Sequence, residues 1–124
     1  MRPVASTTYV RSTTVSGTFS LVNNTNEQDV IAVTIAKRIF IYSALLDCVN
    51  ITQDGTVRFY SKIDGVNYRR IHEVPRTDAA DPDGVLLPVI LGTNTDFKIT
   101  YQAAIVEGAA RNIPYRIVYA LAER

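Results

Sequence analysis

The strongest constraint on this chain is that apolar and polar side chains alternate at every second position over several stretches. In residues 97–105, Phe, Ile, Tyr, Ala and Ile alternate with Lys, Thr and Gln. Residues 115–121 and 15–21 repeat the pattern with Tyr, Ile and Leu, and with Val, Gly, Phe and Leu, on the apolar side. Because successive side chains of a strand point to opposite faces, this alternation predicts half-buried β-strands.

Turn-forming residues separate these stretches at intervals of about 8–12 residues, the spacing typical of sandwiches and barrels. Residues 39–49 are the main helical alternative, but the run Ile-Phe-Ile-Tyr within them favours a strand, since β-branched and aromatic side chains are stiff in a helix. The sequence therefore predicts an all-β chain that forms a single antiparallel β-sandwich, jelly-roll-like, with about eight strands.

The most specific local signal is Asp64-Gly65, a preferred pair for a two-residue turn between antiparallel strands. This turn predicts a hairpin in which Ile63 faces Val66 and Phe59 faces Arg70. One face of the hairpin would bury apolar side chains, namely Val57, Phe59, Ile63, Val66 and Tyr68. The other face would present a mixture of basic, polar and aromatic side chains, including Arg58, Tyr60, Lys62 and Arg69.

A length of 124 residues suits one domain. No apolar run approaches the roughly 20 residues that a membrane-spanning helix needs, and no apolar signal segment follows Met1, so we expect a soluble, non-secreted chain. Ser and Thr dominate the first 20 residues, which hold few large apolar side chains. We therefore divide the chain into residues 1–14, an extended arm or edge strand, and residues 15–124, the β-sandwich domain.

The charges favour protein partners over nucleic acid. Thirteen basic and twelve acidic residues are interspersed and give a net charge of +1, whereas binding to phosphates usually requires a basic excess. Ten of the thirteen basic residues are Arg, which is enriched at protein interfaces where Lys is depleted. We therefore predict neither a nucleic-acid partner nor a membrane partner.

The chain offers few residues for catalysis. Cys48 lies in an apolar stretch, and the single histidine, His72, neighbours Glu73 on the opposite face of a strand, so no nucleophile and base pair is predicted. The acidic loop at residues 78–84 lacks the Gly and Glu positions of an EF-hand and reads as a solvated turn, with a structural Ca²⁺ site as the alternative. We predict no catalytic residue, no cofactor, no metal and no small-molecule substrate, and therefore no enzyme.

Two regions are candidates for protein contact. The first is the N-terminal segment, through Val4, Tyr9, Val10 and Val15. The second is the outer face of the hairpin, through Arg58, Tyr60 and Arg69. We expect this mixture of basic and aromatic side chains to form a solvated face, and contact with an acidic patch of a protein or with single-stranded nucleic acid are the alternatives.

Two stretches of the second half, YSKIDGVNYR at residues 60–69 and EGAARNIPY at residues 107–115, resemble segments of small β-sandwich virion structural proteins of tailed bacteriophages. The resemblance implies a capsid decoration, or cement, protein. Such a protein sits on the head as a homo-oligomer, commonly a trimer, and stabilises the major capsid protein. It implies a location in the virion after assembly in the host cytoplasm.

Other functions stay open at this point. Tail and head-completion proteins carry similar segments and are alternatives within the virion. A carbohydrate-binding β-sandwich module is an alternative outside it, although such modules usually expose aromatic rings and this chain has seven Tyr and no Trp.

Overall fold

The computed structural model describes residues 12–34, 39–86, 91–93 and 96–121, and these residues form strands, turns and loops without a helix. The described residues form nine strands, namely β1 (Ser12–Leu21), β2 (Glu27–Val33), β3 (Ile39–Asp47), β4 (Gly55–Ser61), β5 (Arg69–Arg76), β6 (Gly84–Leu86), β7 (Leu91–Thr93), β8 (Phe97–Ala103) and β9 (Arg111–Leu121). None of the described segments is a helix with the length and apolar character that a membrane crossing requires.

The strands pair into two antiparallel sheets. One sheet has five strands in the order β1-β9-β3-β6, with β7 also paired to β3, and the other has the order β2-β8-β4-β5. The short strands β6 and β7 pair with opposite ends of β3, along the same edge. Among the described strands, consecutive strands share a sheet only at the β4–β5 hairpin and at β6 and β7, which both pair with β3. This is the winding of a jelly roll. The predicted jelly-roll-like β-sandwich is confirmed.

The core lies between the two sheets and is filled by the inward side chains of both. Phe59 of β4 and Phe97 of β8 stack with ring centroids 5.4 Å apart, and Tyr119 of β9 meets Phe97 edge-on at 6.5 Å. Aromatic pairs in these geometries add to the stabilisation from burial. Several further side chains have almost no exposed surface, among them Val57, Ile99, Tyr101, Ile113 and Ile117.

A bulge in β3 changes which of its side chains face the core. The pairing of β3 with β9 skips one residue between Ile41 and Ser43. Ile41 is buried before the bulge and Ala44 after it, whereas Tyr42 and Leu45 are exposed. Because one extra residue shifts the alternation by one position, a nearly continuous apolar sequence supplies both a core face and an exposed apolar face.

The β4–β5 hairpin exists, but its predicted register and tight turn are wrong. Phe59 pairs with His72 rather than with Arg70, and seven residues separate the two strands. Consequently Ile63 and Val66, which were predicted to be buried, are 71% and 72% exposed.

The physical reason is the local chemistry of Asp64. Its carboxylate accepts hydrogen bonds from the backbone amides of Val66 and Asn67 at 2.8 and 2.7 Å. The Gly65 amide donates to the Lys62 carbonyl at 2.9 Å, and Gly65 has a positive φ of 82°. The side chain therefore satisfies amides that a continued ladder would use, and a longer loop replaces the two-residue turn.

Gly55, at the start of β4, is enclosed by its neighbours. A Cβ atom there would lie 2.3 Å from the Tyr101 hydroxyl and 2.8 Å from the Gln102 carbonyl oxygen. Gly55→Ala should therefore lower the free energy of unfolding by about 1–3 kcal/mol, measured by urea denaturation. Ser20→Ala, at an exposed position of β1, should change it by less than about 0.5 kcal/mol. Equal stability of the two variants would contradict the close packing.

Candidate assembly surfaces

The outer face of the four-stranded sheet carries two of the predicted contact residues, Arg58 and Tyr60, which meet at Glu27. Glu27 Oε2 accepts hydrogen bonds from the hydroxyls of Tyr60 and Thr100, both at 2.5 Å. Glu27 Oε1 lies 3.4 Å from Arg58 Nη1, and Arg58 Nε donates to Glu73 Oε1 at 2.8 Å. The structure brings Arg58 and Tyr60 together, but their guanidinium and hydroxyl groups already bind carboxylates of the same sheet.

The other cations on this face are paired as well. Arg70 Nη1 lies 3.1 Å from Glu73 Oε1, and Lys98 Nζ lies 3.2 Å from Asp29 Oδ1. The Lys98 ammonium also lies over the Tyr60 ring, 5.2 Å from its centroid. Because neighbouring strands supply opposite charges, this face neutralises itself and suits solvent better than a charged partner.

The pKa of Glu27 is lowered by its place in this network. Burial raises the pKa of its carboxyl group, but the hydrogen bonds from Thr100 and Tyr60 and the charges of Arg58 and Lys98 lower it, and the net pKa is below the usual 4.5. The ionised form of Glu27 therefore stabilises the folded sheet.

The remaining predicted contact residues lie apart from this network. Arg69 is 59% exposed and pairs with Asp64 in the β4–β5 loop at 3.3 Å. Val15 is half-buried on β1, in register with Ile117 of β9. The described residues do not include the other three predicted contacts, Val4, Tyr9 and Val10, and the role of all of these residues stays a prediction, as does the domain boundary at residue 14.

Part of the outer face of the five-stranded sheet, along β3 and β6, has the opposite chemistry, which the sequence did not reveal. Four exposed apolar side chains lie there on β3 and β6, and Val118 of β9 is half-buried beside them. The exposed Arg116 of β9, in register with Leu45, borders them. Leu45 and Leu86 are 42% and 55% exposed and are directly paired across the strands. We define the apolar face as Phe40, Tyr42, Leu45, Leu86 and Val118. Exposed apolar side chains grouped on one sheet face in this way are typical of interaction sites.

A shallow, open depression of about 380 Å³ continues the apolar face between β3 and β6. Leu45 and Leu86 line it, together with the backbone around Gly84, and Asp47 and Asp83 border it. Its lining is mainly apolar. It therefore suits an apolar side chain of a protein partner better than a polar substrate.

One end of the sandwich is held together by Arg76, the last residue of β5, whose side chain is 0% exposed. Its guanidinium donates to the Gln53 carbonyl at 2.9 Å, the Asp81 carbonyl at 3.1 Å and the Asp78 carboxylate at 2.8 Å. Two further carbonyls accept longer bonds, those of Pro82 and Ile51. Arg76 therefore ties the β3–β4 loop to the β5–β6 loop.

Glu107 extends this bracing to the β8–β9 loop. Its buried carboxylate accepts hydrogen bonds from the Thr52 amide and hydroxyl, both at 2.9 Å, and from the Gln53 amide at 3.0 Å. The adjacent Gly108 amide donates to the Asn23 side chain at 2.9 Å, which adds the β1–β2 loop. Four loops at this end are thus linked to one another, and the end is preorganised.

The titratable groups near Arg76 include the Cys48 thiol and the Tyr101 phenol. Burial raises the pKa of the Cys48 thiol to about 11 and that of the Tyr101 phenol to about 12, so both are protonated at neutral pH. Within the described part of the chain, no three His, Cys, Asp or Glu side chains come together to hold a metal ion. In the acidic loop, the Asp78 carboxylate pairs with Arg76.

Solved structures with a similar fold include two chains of low sequence identity. A chain from the Bacillus endospore appendages, a family of disulfide-linked pili, has a TM-score of 0.57 and 15% identity, with 98% of each chain covered. A chain from the acid-stable capsid of Helicobacter pylori bacteriophage KHP30 has a TM-score of 0.57 and 10% identity, covering 93% of this chain and 95% of that one. These likenesses show the shared fold, and a phage capsid structure is among them, in line with the resemblance in sequence. No protein-family profile matches the chain, and no curated protein matches it in sequence.

Replacing Arg76 by Met should lower the free energy of unfolding by about 1–3 kcal/mol, because the carbonyls of Ile51 and Gln53 and the Asp78 carboxylate lose their hydrogen-bond donor. Arg69→Met makes the same substitution at a 59% exposed Arg and should cost less than about 1 kcal/mol. Urea denaturation of both variants measures the difference. Similar small losses in the two would show that Arg76 does not brace the loops.

Glu27→Gln should produce a pH-dependent loss of stability. The folded pKa of Glu27 lies below the unfolded value near 4.5, so its contribution is fully present above pH 4.5 and is lost as the pH falls through the folded pKa. The difference in unfolding free energy between the wild type and Glu27→Gln should therefore be largest at neutral pH and shrink below pH 4.5. A difference that stays constant through the acid range would contradict this account.

Proposed function

We propose that this chain is a non-enzymatic structural protein of a virus particle, a capsid decoration (cement) protein that binds a phage head as a homotrimer. The observation that carries the proposal is the contrast between the two outer faces of the sandwich. One face pairs its own charges, while the other exposes the apolar face. A protein that stays solvated on all sides gains nothing from such an asymmetry.

The apolar face binds the major capsid protein in this proposal. The four-stranded sheet then faces solvent, where its paired charges maintain solubility. Shell contacts of this kind bury on the order of 1,000 Å² or more in total, and the apolar face with its flanking strands offers a surface suited to the centre of such a contact. The fold is also that of a chain from a phage capsid, which supports this choice among structural roles.

Contacts between copies use the N-terminal segment, through Val4, Tyr9, Val10 and Val15. The hairpin residues Arg58, Tyr60 and Arg69 contribute to a contact only if a partner displaces their present acidic partners. The N-terminal segment is therefore the main self-association element of the proposal.

A filament subunit is the second candidate, favoured by the likeness to the spore-appendage chain over 98% of both chains. Size-exclusion chromatography with light scattering and electron microscopy separate the two. The cement proposal expects three times the chain mass of 13.7 kDa and immunogold labelling on particle heads. Labelling on filaments would favour the second candidate. A strict monomer absent from particles would contradict both.

The double variant Leu45→Glu with Leu86→Glu should abolish binding to particles, because it places two charges in the centre of the apolar face. Both side chains are exposed, so the variant should keep its β-sheet circular dichroism. Ile63→Glu is the matched control, since Ile63 is an exposed aliphatic residue in the β4–β5 loop, and it should bind like the wild type. Co-sedimentation with purified heads measures binding. Equal binding by all three proteins would remove the apolar face from the proposal.

A further inference from the structure

The sheet edges of the sandwich differ in how well they are protected. A free edge strand exposes backbone N–H and C=O groups that a strand from another chain can pair with. The edges are formed by β1 and the β6/β7 pair in one sheet, and by β2 and β5 in the other. Natural sheets block such edges with charged residues, proline, bulges or short strands.

Three of these edges carry such features. β5 has Arg69 and Arg70, which are 59% and 58% exposed, and Pro75, which has no backbone N–H. β2 is interrupted by a bulge between Asp29 and Ile31. The strands β6 and β7 have three residues each. Each of these edges is therefore a poor template for an added strand.

β1 has none of these features. It is ten residues long and pairs with β9 at ten consecutive positions without a register shift. Its sequence, STTVSGTFSL, contains no charged residue and no proline, and its outward side chains at Thr14, Ser16 and Thr18 are exposed. Its only partner among the described strands is β9, so its second edge offers an uninterrupted row of backbone groups about 33 Å long.

The segment that suits this edge is residues 3–10, which precede β1 in the chain. Its sequence, PVASTTYV, is uncharged and rich in residues that favour strands. Residues 4–11 contain no Gly, Asn or Asp, the residues that tight hairpin turns require, so the segment is unsuited to fold back onto β1 of its own copy. Only Arg11 lies between this segment and β1, so residues 3–11, if extended, project about 30 Å beyond the start of β1, where the β1 edge of a neighbouring copy can receive them.

We propose that residues 3–10 of one copy add as a strand to the free edge of β1 in a second copy. Each copy donates residues 3–10 to one neighbour and receives the same segment from another. In the proposed trimer, the three added strands therefore form a closed ring of contacts. The backbone hydrogen bonds supply the affinity, as in other cases of strand addition. This inference rests on the self-association in the proposed function and specifies its geometry.

Cysteine cross-linking between two co-expressed, differently tagged chains tests the geometry. One chain carries Ser16→Cys in β1, and the other carries a single cysteine at one position of residues 5–9. Native Cys48 is fully buried and has a pKa of about 11, so it does not contribute at neutral pH. Because alternate side chains of a strand point to opposite faces, the yield of mixed disulfide should alternate along residues 5–9, several-fold higher at every second position.

The matched control places the acceptor cysteine at Thr34, an exposed residue just after β2, where no mixed disulfide should form. Alternating yields with Ser16→Cys and none with Thr34→Cys support strand addition. Uniform or absent cross-links in an intact, particle-binding oligomer overturn strand addition and leave the proposed function in place. A monomer that is absent from particles overturns both.

Discussion

Every feature of this protein depends on burying the inward faces of two antiparallel sheets against each other. Strands place alternate side chains on opposite faces, so the side chains that fill the core, such as Phe59, Phe97 and Ile117, fix the orientation of all the others. The bulge at Tyr42 lets β3 direct apolar side chains to the core on both sides of it and places other apolar side chains on the outer face. The outer faces can therefore differ in chemistry without disturbing the core.

That difference connects the fold to assembly. On the four-stranded sheet, Glu27, Arg58 and neighbouring charges bind one another, so the surface presents little unpaired charge. On the five-stranded sheet, the apolar face and the unprotected edge of β1 lie on strands of the same sheet. The loops at one end are braced by Arg76 and Glu107, and this gives the subunit a rigid end. A rigid sandwich with one partly apolar outer side is a physical basis for the proposed structural role.

The sequence predicts the all-β jelly roll well, because alternation and turn residues are local signals. These local signals do not predict the features that distant or competing interactions determine. The tight hairpin turn is lost because the Asp64 side chain binds nearby amides. The apolar face could not be predicted, because residues 39–46 carry apolar side chains at both odd and even positions. Only the bulge determines which of these side chains face the core. The bracing by Arg76 and Glu107 joins residues up to 25 and 55 positions apart, and no local pattern reports such pairs.

Amide hydrogen exchange of the assembled and the dissociated protein tests the central claim most directly, because it reports which backbone groups association covers. If the five-stranded sheet is the assembly side, assembly should slow exchange at alternate amides of β1 and leave β5 unchanged. Protection that appears on β5, or no protection on either strand, would contradict the account.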